Sequence, residues 1–454
     1  LPLSSLPKII SNHNLIMSLV NEVREAGVVG AGGGGFPAHV KLAAKADTII
    51  ANGAECEPLL HKDAAILEHQ AADVVKGILL CADALGAQDV VIAIKAKKKR
   101  AVEAAKAACE GTRARVHLLG DYYPAGDEYD LVHSVTGRLI PPAGIPLHVG
   151  AVVMNVESLA NVAAAAEGRP VIRKTITIAG AVKTPASFVV PLGISLRECI
   201  EAAGGATVDN PVIAIGGMMM GEITADLDRP VTKTTAGAIV LSADHPVVLR
   251  KFKPATQMAA IGKSACDQCR YCTEFCPRFL LGYAVEPHQV MRSLGFTATG
   301  SDRFSEWAGL CCSCGLCTLY ACPEGLFPKE ACDDSKVVLR KLDWKWTGSQ
   351  TVEVHPMADG RRVPIKSLMK RLDIDSYDSP APLHSVELTT RRAVMPLKQH
   401  AGAPAIAKVS PGQTLAMGEV IAAPAPDAMG AILHAPFACT VAAVESSRII
   451  LNAI

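Results

Sequence analysis

The sequence predicts a multidomain chain, α/β at its front and β towards its end, with a helical cysteine-rich segment in between. Three observations predict it. Helix and strand patterns alternate from Glu22 to about Glu167, short strands with Gly and Pro turns take over from about Pro170, and eight of the fifteen cysteines fall into two tight runs within 266–322. A chain of 454 residues, 50% hydrophobic, has room for about three or four domains with separate cores. The expected boundaries are 1–16 for a leader or added segment, 17–168, 169–248 and 249–345 for three domains, 346–382 for a polar linker and 383–454 for a last domain.

Residues 1–16 are patternless and lack the continuous apolar stretch of a signal peptide, whereas Met17 opens a helix pattern through Leu19, Val20 and Val23, so Met17 is the expected start. The apolar runs 48–51, 89–94, 115–119 and 151–156 are short and rich in β-branched residues, as buried parallel strands are. Helical stretches at 39–46, 63–85, 97–110 and 127–136 separate them, which predicts a Rossmann-like α/β layer. Residues 170–246 read as short strands with one helix at 195–203, a small β-grasp-like module. Segment 286–294 reads as a helix among the cysteines, and from Leu383 onward short strands alternate with turns at Pro411-Gly412, Met417-Gly418 and Met429-Gly430.

Composition excludes several classes. The net charge is +1 without a basic stripe, so nucleic acid is not an expected partner. The longest uncharged stretch, 139–156, is cut by Pro141, Pro142 and Pro146, so no membrane span is expected. The basic residues Arg361, Arg362, Lys366, Lys370 and Arg371 read as a solvated face of the linker.

The cysteines carry the sharpest chemistry. Cys266-x2-Cys269-x2-Cys272-x3-Cys276 and Cys311-x2-Cys314-x2-Cys317-x4-Cys322 each end in Cys-Pro. Zinc would use two separated CxxC knuckles, whereas three cysteines at this pitch, closed by a fourth before Pro, suit a [4Fe–4S] cube. Two runs imply two cubes. In two-cluster ferredoxins the fourth cysteine serves the other cube, which would group Cys266, Cys269, Cys272 and Cys322 against Cys311, Cys314, Cys317 and Cys276. Cys312 is read as a bystander, and Cys56, Cys81, Cys109, Cys199, Cys332 and Cys439 as buried small apolar residues. Reduced thiols that hold iron point to the cytoplasm.

The run from Gly30 to Pro37 holds Gly32, Gly33, Gly34 and Gly35 ahead of Phe36, and bare backbone of this kind lets N–H groups approach a phosphate or a flat ring. The following helix would present its positive end. The strand at 48–51 then ends in Asn52-Gly-Ala-Glu-Cys-Glu-Pro58, which puts carboxylates at the edge where α/β sheets bind ligands.

These residues, with His39 to Lys41 and Asn155-Val-Glu-Ser-Leu-Ala-Asn161, resemble the FMN/NADH-binding domain of the respiratory complex I flavoprotein, and more closely the RnfC protein of Rnf electron-transfer complexes. The resemblance implies that Gly32, Gly33, Gly34, Gly35, Phe36 and Lys41 cradle FMN beside Asn52 and Glu55. Asn155, Glu157 and Ser158 would hold its phosphate end, and Gly126, Asp127 and Glu128 would form the acidic loop beside the nicotinamide. Ala54 stands where complex I has an aspartate, as in the RnfC-type chains. Segment 173–243 resembles the SLBB β-grasp domain, and the tail, with Lys398 to Pro404 and Pro411 to Gly418, resembles the barrel-sandwich hybrid of RnfC. The tail also resembles lipoyl carriers, but the tip from Ala423 to Gly430 has no lysine to bear a swinging arm, so a docking or structural cap is expected.

Flavin domain, SLBB, clusters and then barrel-sandwich is the order of the cobalamin reductase family of propanediol-utilising bacteria. That resemblance implies NADH and cobalamin as substrates, hydride transfer near Glu55, Glu57 and Glu128, and single-electron steps through both cubes. Flavin handles both electron pairs and single electrons, which links the two halves. Cubes near about −400 mV would drive the first cobalt reduction, while the second would need help from a partner. The implied partners are an ATP:corrinoid adenosyltransferase and the proteins of a bacterial microcompartment, which would also be its location. An RnfC-type chain working between NADH and ferredoxin is the alternative, and a scaffold with structural clusters is another. His288, His355 and His384 stand singly and read as surface or cap residues rather than cobalt ligands.

Overall fold

The computed structural model describes residues 18–296 and 301–454; the expected leader, 1–16, lies outside them. A short helix, α1 (18–25), leads into the glycine loop and α2 (Ala38–Leu42). The first sheet is wholly parallel in the order β3 (Ala114–Leu119), β2 (Asp89–Lys95), β1 (Thr48–Gly53), β5 (Ala151–Asn155). A two-residue strand, β4 (Tyr122–Tyr123), follows β3. On one face α3 (Lys62–Leu85), α4 (Lys99–Cys109) and α6 (Val156–Ala165) cover the sheet through Ile49, Ala51, Val90 and Ile92. On the other, α5 (Glu128–Thr136) presents Leu131 and Val132 to Ile50, Ala93 and Val153. Burial on both faces is why β1, β2 and β5 read as continuous apolar runs instead of alternating, whereas the edge strand β3 leaves Arg115 and Leu118 exposed.

The order matters for function. β1 continues through α3 to β2 on one side and has β5 on the other, so the connections diverge between β1 and β5. Parallel register sets Asn52 opposite Asn155 at the carboxyl ends of those two strands. Such a crevice is where open α/β sheets take ligands.

A second, mixed sheet runs β7 (Ala186–Pro191), β6 (Arg173–Gly180), β10 (Gly237–Ser242), β8 (Pro211–Ile215), β9 (Glu222–Thr224), with α7 (Leu196–Ala202) packed on it by Leu196, Cys199 and Ile200. The cysteine segment consists of short helices. α8 (Pro246–Lys251) and α9 (Ala255–Ala265) lead in, α10 (Tyr271–Glu274) and α11 (Pro277–Leu280) bracket Cys276, and α12 (Pro287–Ser293) packs on α13 (Pro328–Lys341).

The expected linker is not free chain. Within 346–382, β11 (Val363–Pro364) pairs with Tyr122 and Tyr123, and α14 (Ile365–Arg371) buries Ile365, Leu368 and Met369. Three of its basic residues are engaged too, while Lys366 and Lys370 stay exposed as expected of a solvated face. Arg361 pairs with Glu274 at 2.8 Å, Arg362 stacks over Tyr122, and Arg371 donates to the Cys322 carbonyl at 2.9 Å. The polar composition reflects side chains that bridge modules, a contact that local patterning does not encode.

Two further sheets close the chain. One runs β12 (Arg392–Pro396), β18 (Arg448–Ala453), β17 (Cys439–Val444), β14 (Thr414–Leu415), and the other β13 (Ile406–Ala407), β15 (Val420–Ala423), β16 (Leu433–His434). Their inner residues Leu397, Ile421, Leu433 and Ala435 share one apolar cluster with Val23, Ala26 and Val28 of the first module. The tail therefore folds back onto the glycine loop, as a cap would.

Candidate active site

The glycine loop closes on itself. Gly30 N–H donates to the Phe36 carbonyl at 2.9 Å and Gly35 N–H to the Gly30 carbonyl at 3.1 Å. A Cβ on Gly35 would sit 2.9 Å from Thr234 and 3.0 Å from the His400 backbone, so β-grasp and tail clamp the loop from outside. Gly33 and Gly34 meet nothing within 4 Å and leave bare backbone towards the open crevice. Inside, Ser158 accepts from Ala31 N–H at 2.8 Å and donates to the Val29 carbonyl at 3.1 Å, while Lys174 of β6 donates to the Ala31 carbonyl at 2.9 Å.

Under the loop lies a buried ion cluster. Glu157 sits between Lys62 (3.2 Å) and Lys174 and accepts from Thr175 N–H at 2.9 Å. Burial alone would raise its carboxyl, but the two lysines outweigh that and hold it low. For Lys62 burial acts to lower the amine, and Asp63, Glu157 and Glu55 reverse it; Lys174 settles at about 8, with burial dominant over Glu157. Asn155 caps α6 through Oδ1 and donates from Nδ2 to Asp63 at 3.0 Å.

A slot of about 240 Å³ is lined by Gly32, Gly34, Gly35, Phe36, Lys41, Asn52, Gly126, Glu128, Asn155 and Ser158. It opens on a cavity of about 700 Å³ that adds Gly33, Glu55, Glu57, Tyr123, Asp127, the β-grasp residues Arg229, Thr232 and Thr234, and finally Cys312 and Cys314. Lys41 Nζ donates to the Val153 carbonyl at 2.8 Å and lies 3.5 Å from Glu128. Asn52 holds the acidic loop by donating to the Gly126 carbonyl at 2.9 Å. All the residues singled out in the first module reach these cavities except Glu157.

Three expectations change. Glu157 is 5% exposed and neutralised between lysines, so it supports the loop from behind instead of facing a ligand. Glu57 lines the cavity, but its carboxylate is committed to the N–H groups of Met219 (2.9 Å) and Met220 (2.8 Å), clasping the β-grasp module. The helix after the glycine loop, α2, has five residues, too few for a developed macrodipole. Glu55 remains available. Its backbone is left-handed at φ +30°, it accepts from Asp63 N–H at 3.0 Å, and burial with Asp63 alongside lifts its carboxyl to about 7.

The thiols sort into two neighbourhoods. Cys272 feels Cys322, Cys266 and Cys269; Cys276 feels Cys311 and Cys312; Cys317 feels Cys311 and Cys276 first and then Cys272 across the divide. The grouping is compatible with the exchange of fourth cysteines expected from the spacing. Burial first, then mutual repulsion, pushes Cys272 up to about 12 and raises Cys276 and Cys317, while the neighbouring Cys312 and then burial raise Cys314, so metal is what favours their thiolate forms. Among the described residues no three His, Cys, Asp or Glu converge on a single ion. A cube would give each thiolate its own iron in place of one shared ion.

Several contributors left no sequence signal, because long-range contacts create them. Cys332, buried on α13, packs in one cluster with Cys311. Cys312, read from the sequence as a bystander, lines the cavity. Cys56 lines the cavity as well. Arg278 is 8% exposed, lies 3.0 Å from Asp127 and stacks on Tyr129 at 3.4 Å, setting a buried positive charge between acidic loop and thiols. Tyr123 donates to the Cys314 carbonyl at 2.7 Å. His288 is buried against Thr273 at 2.9 Å rather than at the surface, while His355 and His384 accept from Met357 N–H and Val386 N–H as caps.

Comparison with known proteins bears on this geometry. Residues 23–164 match the Nuo51 FMN-binding domain, 175–222 the SLBB domain, 265–327 the 4Fe-4S dicluster domain and 377–453 the RnfC barrel sandwich hybrid domain. Cobalamin reductase PduS of Salmonella typhimurium is 40% identical over 428 residues, covering 94% of this chain and 94% of that protein. The chain belongs to the cobalamin reductase PduS family. Cobalamin reductase PduS of Citrobacter freundii is 40% identical over 414 residues, 91% of each. The C component of the proton-translocating ferredoxin:NAD(+) oxidoreductase complex of Clostridium ljungdahlii is 36% identical over 58% of this chain and 57% of its own length. An NAD+-reducing [NiFe]-hydrogenase overlaps 82% of this chain and 68% of its own, at 20% identity and a TM-score of 0.47. The chain is thus an oxidoreductase of the iron–sulfur flavoprotein type, with FMN-binding and 4Fe–4S domains on one polypeptide. Among the described residues no helix is long and apolar enough to cross a membrane.

Proposed function

We propose that the chain reduces cobalamin with electrons from NADH, taking cob(III)alamin to cob(II)alamin and towards cob(I)alamin, through FMN and two [4Fe–4S] clusters. The supporting observation is one continuous cavity with glycine backbone on one wall and Cys312 and Cys314 on another. A bound flavin supplies the exchange between hydride and single electrons that neither NADH nor a cube performs. Gly32, Gly33, Gly34, Gly35 and Phe36 would hold it, with Lys41 as the positive charge at its edge. Asn52, Gly126, Asn155 and Ser158 would line the slot, and Glu55, Asp127 and Glu128 would face the donor. Glu57 and Glu157 would position the walls. Cys266, Cys269, Cys272 and Cys322 would hold one cube, and Cys311, Cys314, Cys317 and Cys276 the other.

The same reading proposes modules bounded near 168, 248 and 345. It extends to adenosylcobalamin regeneration in 1,2-propanediol utilisation, with an ATP:corrinoid adenosyltransferase as partner inside a bacterial microcompartment. Anaerobic protein, NADH and either cob(III)alamin or ferredoxin form the test. Turnover of cob(III)alamin is the expected result. Turnover of ferredoxin alone would leave the RnfC-type reading, and clusters that NADH cannot reduce would leave the scaffold.

A further inference from the structure

Both thiol neighbourhoods have buried members, Cys272 (8% exposed) and Cys322 (7%) in one as much as Cys314 and Cys317 in the other, and they differ in which one reaches the cavity and which one reaches solvent. Cys314 (8% exposed), Cys317 (7%) and Cys276 (6%) are buried. Cys314 also lines the 700 Å³ cavity, and its carbonyl accepts from Tyr123, a cavity residue only 2% exposed. Hence the cavity wall and the backbone of this cube's ligand are joined by one hydrogen bond. At the other neighbourhood Cys269 is exposed and Cys266 half-buried, and Asp267, Arg270 and Tyr271 beside them face solvent. None of these residues lines the cavity.

Electron tunnelling falls off exponentially with distance, so the cube nearest the cavity receives electrons first and the cube nearest solvent surrenders them. We infer that electrons enter at the cube of Cys314 and leave at the cube of Cys269, so that the 266–276 run, although first in sequence, is last in the relay. This rests on the proposed flavin and cluster reading and adds direction and exit to it. Each NADH oxidised to NAD+ yields two electrons, which leave the flavin singly while its protons pass to water. The cube held by Cys314 would take up and release one electron at a time, the cube held by Cys269 would do the same, and each electron would end on one cobalt, so that two cob(III)alamin would become two cob(II)alamin. The acceptor therefore meets the protein at the surface around Cys269, away from the donor cavity.

The test uses the full chain, anaerobically, with Cys269→Ala and Cys314→Ala, EPR for the cubes and flavin content as control. In Cys269→Ala, NADH should still reduce the remaining cube at the wild-type rate, while cob(III)alamin reduction falls about tenfold or more. In Cys314→Ala the remaining cube should yield to dithionite but not to NADH. The opposite pair of results would reverse the order, and NADH reduction of the remaining cube at the wild-type rate in both variants would remove it. Should an alanine variant fail to fold, Cys269→Ser and Cys314→Ser keep an oxygen ligand. Serine at 314 should then slow cube reduction by NADH, and serine at 269 only the acceptor step; the reverse overturns the proposal. If wild-type flavin is not reduced by NADH, the functional reading fails instead, which is a separate outcome.

Discussion

At Glu55 the carboxyl is held to about 7 by burial, with the Asp63 charge beside it adding to the effect. In the unfolded chain the same group ionises near 4.5. Between those values the folded state keeps a proton that the unfolded state has lost, so stability declines as pH rises through the window and the deficit is complete above about 7. Glu55→Gln removes this term. Its melting temperature should exceed that of the wild type at pH 8, by about 1 to 2 kcal/mol of stability after allowing for partial exposure, and match it near pH 4.5. Equal displacement at both pH values would contradict the assignment. Lys41 supplies positive charge in the slot through an amine that already donates to the Val153 carbonyl. Lys41→Ala should weaken FMN binding by about 10- to 100-fold, the equivalent of one charge-assisted hydrogen bond, as read by flavin retained after gel filtration. Residue types and spacing made Lys41, Asn52 and the eight cluster cysteines visible in the sequence. Arg278, Tyr123 and Lys174 were invisible, because their partners lie more than a hundred residues away or on another module.

Among elements, α3 and α6 make the closest helix contact of the first module, and Gly77 permits it. A Cβ there would stand 1.9 Å from the Leu159 carbonyl. Helix propensity alone favours Gly77→Ala by about 1 kcal/mol. The backbone clash outweighs that, since the helices must separate, and overpacking costs about 1–3 kcal/mol or more. A lower melting temperature is therefore expected for Gly77→Ala, and an unchanged or higher one would show that the contact yields freely. Glu57 ties the end of β1 to the loop after β8. Glu57→Ala leaves two N–H groups without their charged acceptor and should cost about 2–4 kcal/mol, measured by denaturant unfolding, with cube content retained. The inner strands β1 and β2, with β5, were legible because burial on both faces produces unbroken apolar runs. The stretch 346–382 was not, because β11 is two residues long and α14 only seven, too short to imprint a period on the sequence.

The molecule as a whole is a set of modules gathered around the glycine loop. Lys233 shows how closely they meet. It comes from the β-grasp module, is 1% exposed, and donates to the Gly27 carbonyl of the first module (2.6 Å) and the Ile432 carbonyl of the tail (2.7 Å). With no carboxylate partner among the described residues, burial brings its amine down to about 7. Module types and order could be read from motifs, whereas their convergence on one cavity could not, since no motif records which surfaces meet. That convergence underlies the central claim, a relay from a nicotinamide to paired cubes on a single chain. The most direct measurement is an anaerobic titration of purified protein with NADH, followed by visible absorption and EPR, after iron, sulfide and flavin have been counted. The account predicts about eight irons and one FMN per chain, with flavin and both cubes bleaching on NADH addition. Zinc in place of iron, or a flavin that bleaches while the cubes stay oxidised, would contradict it.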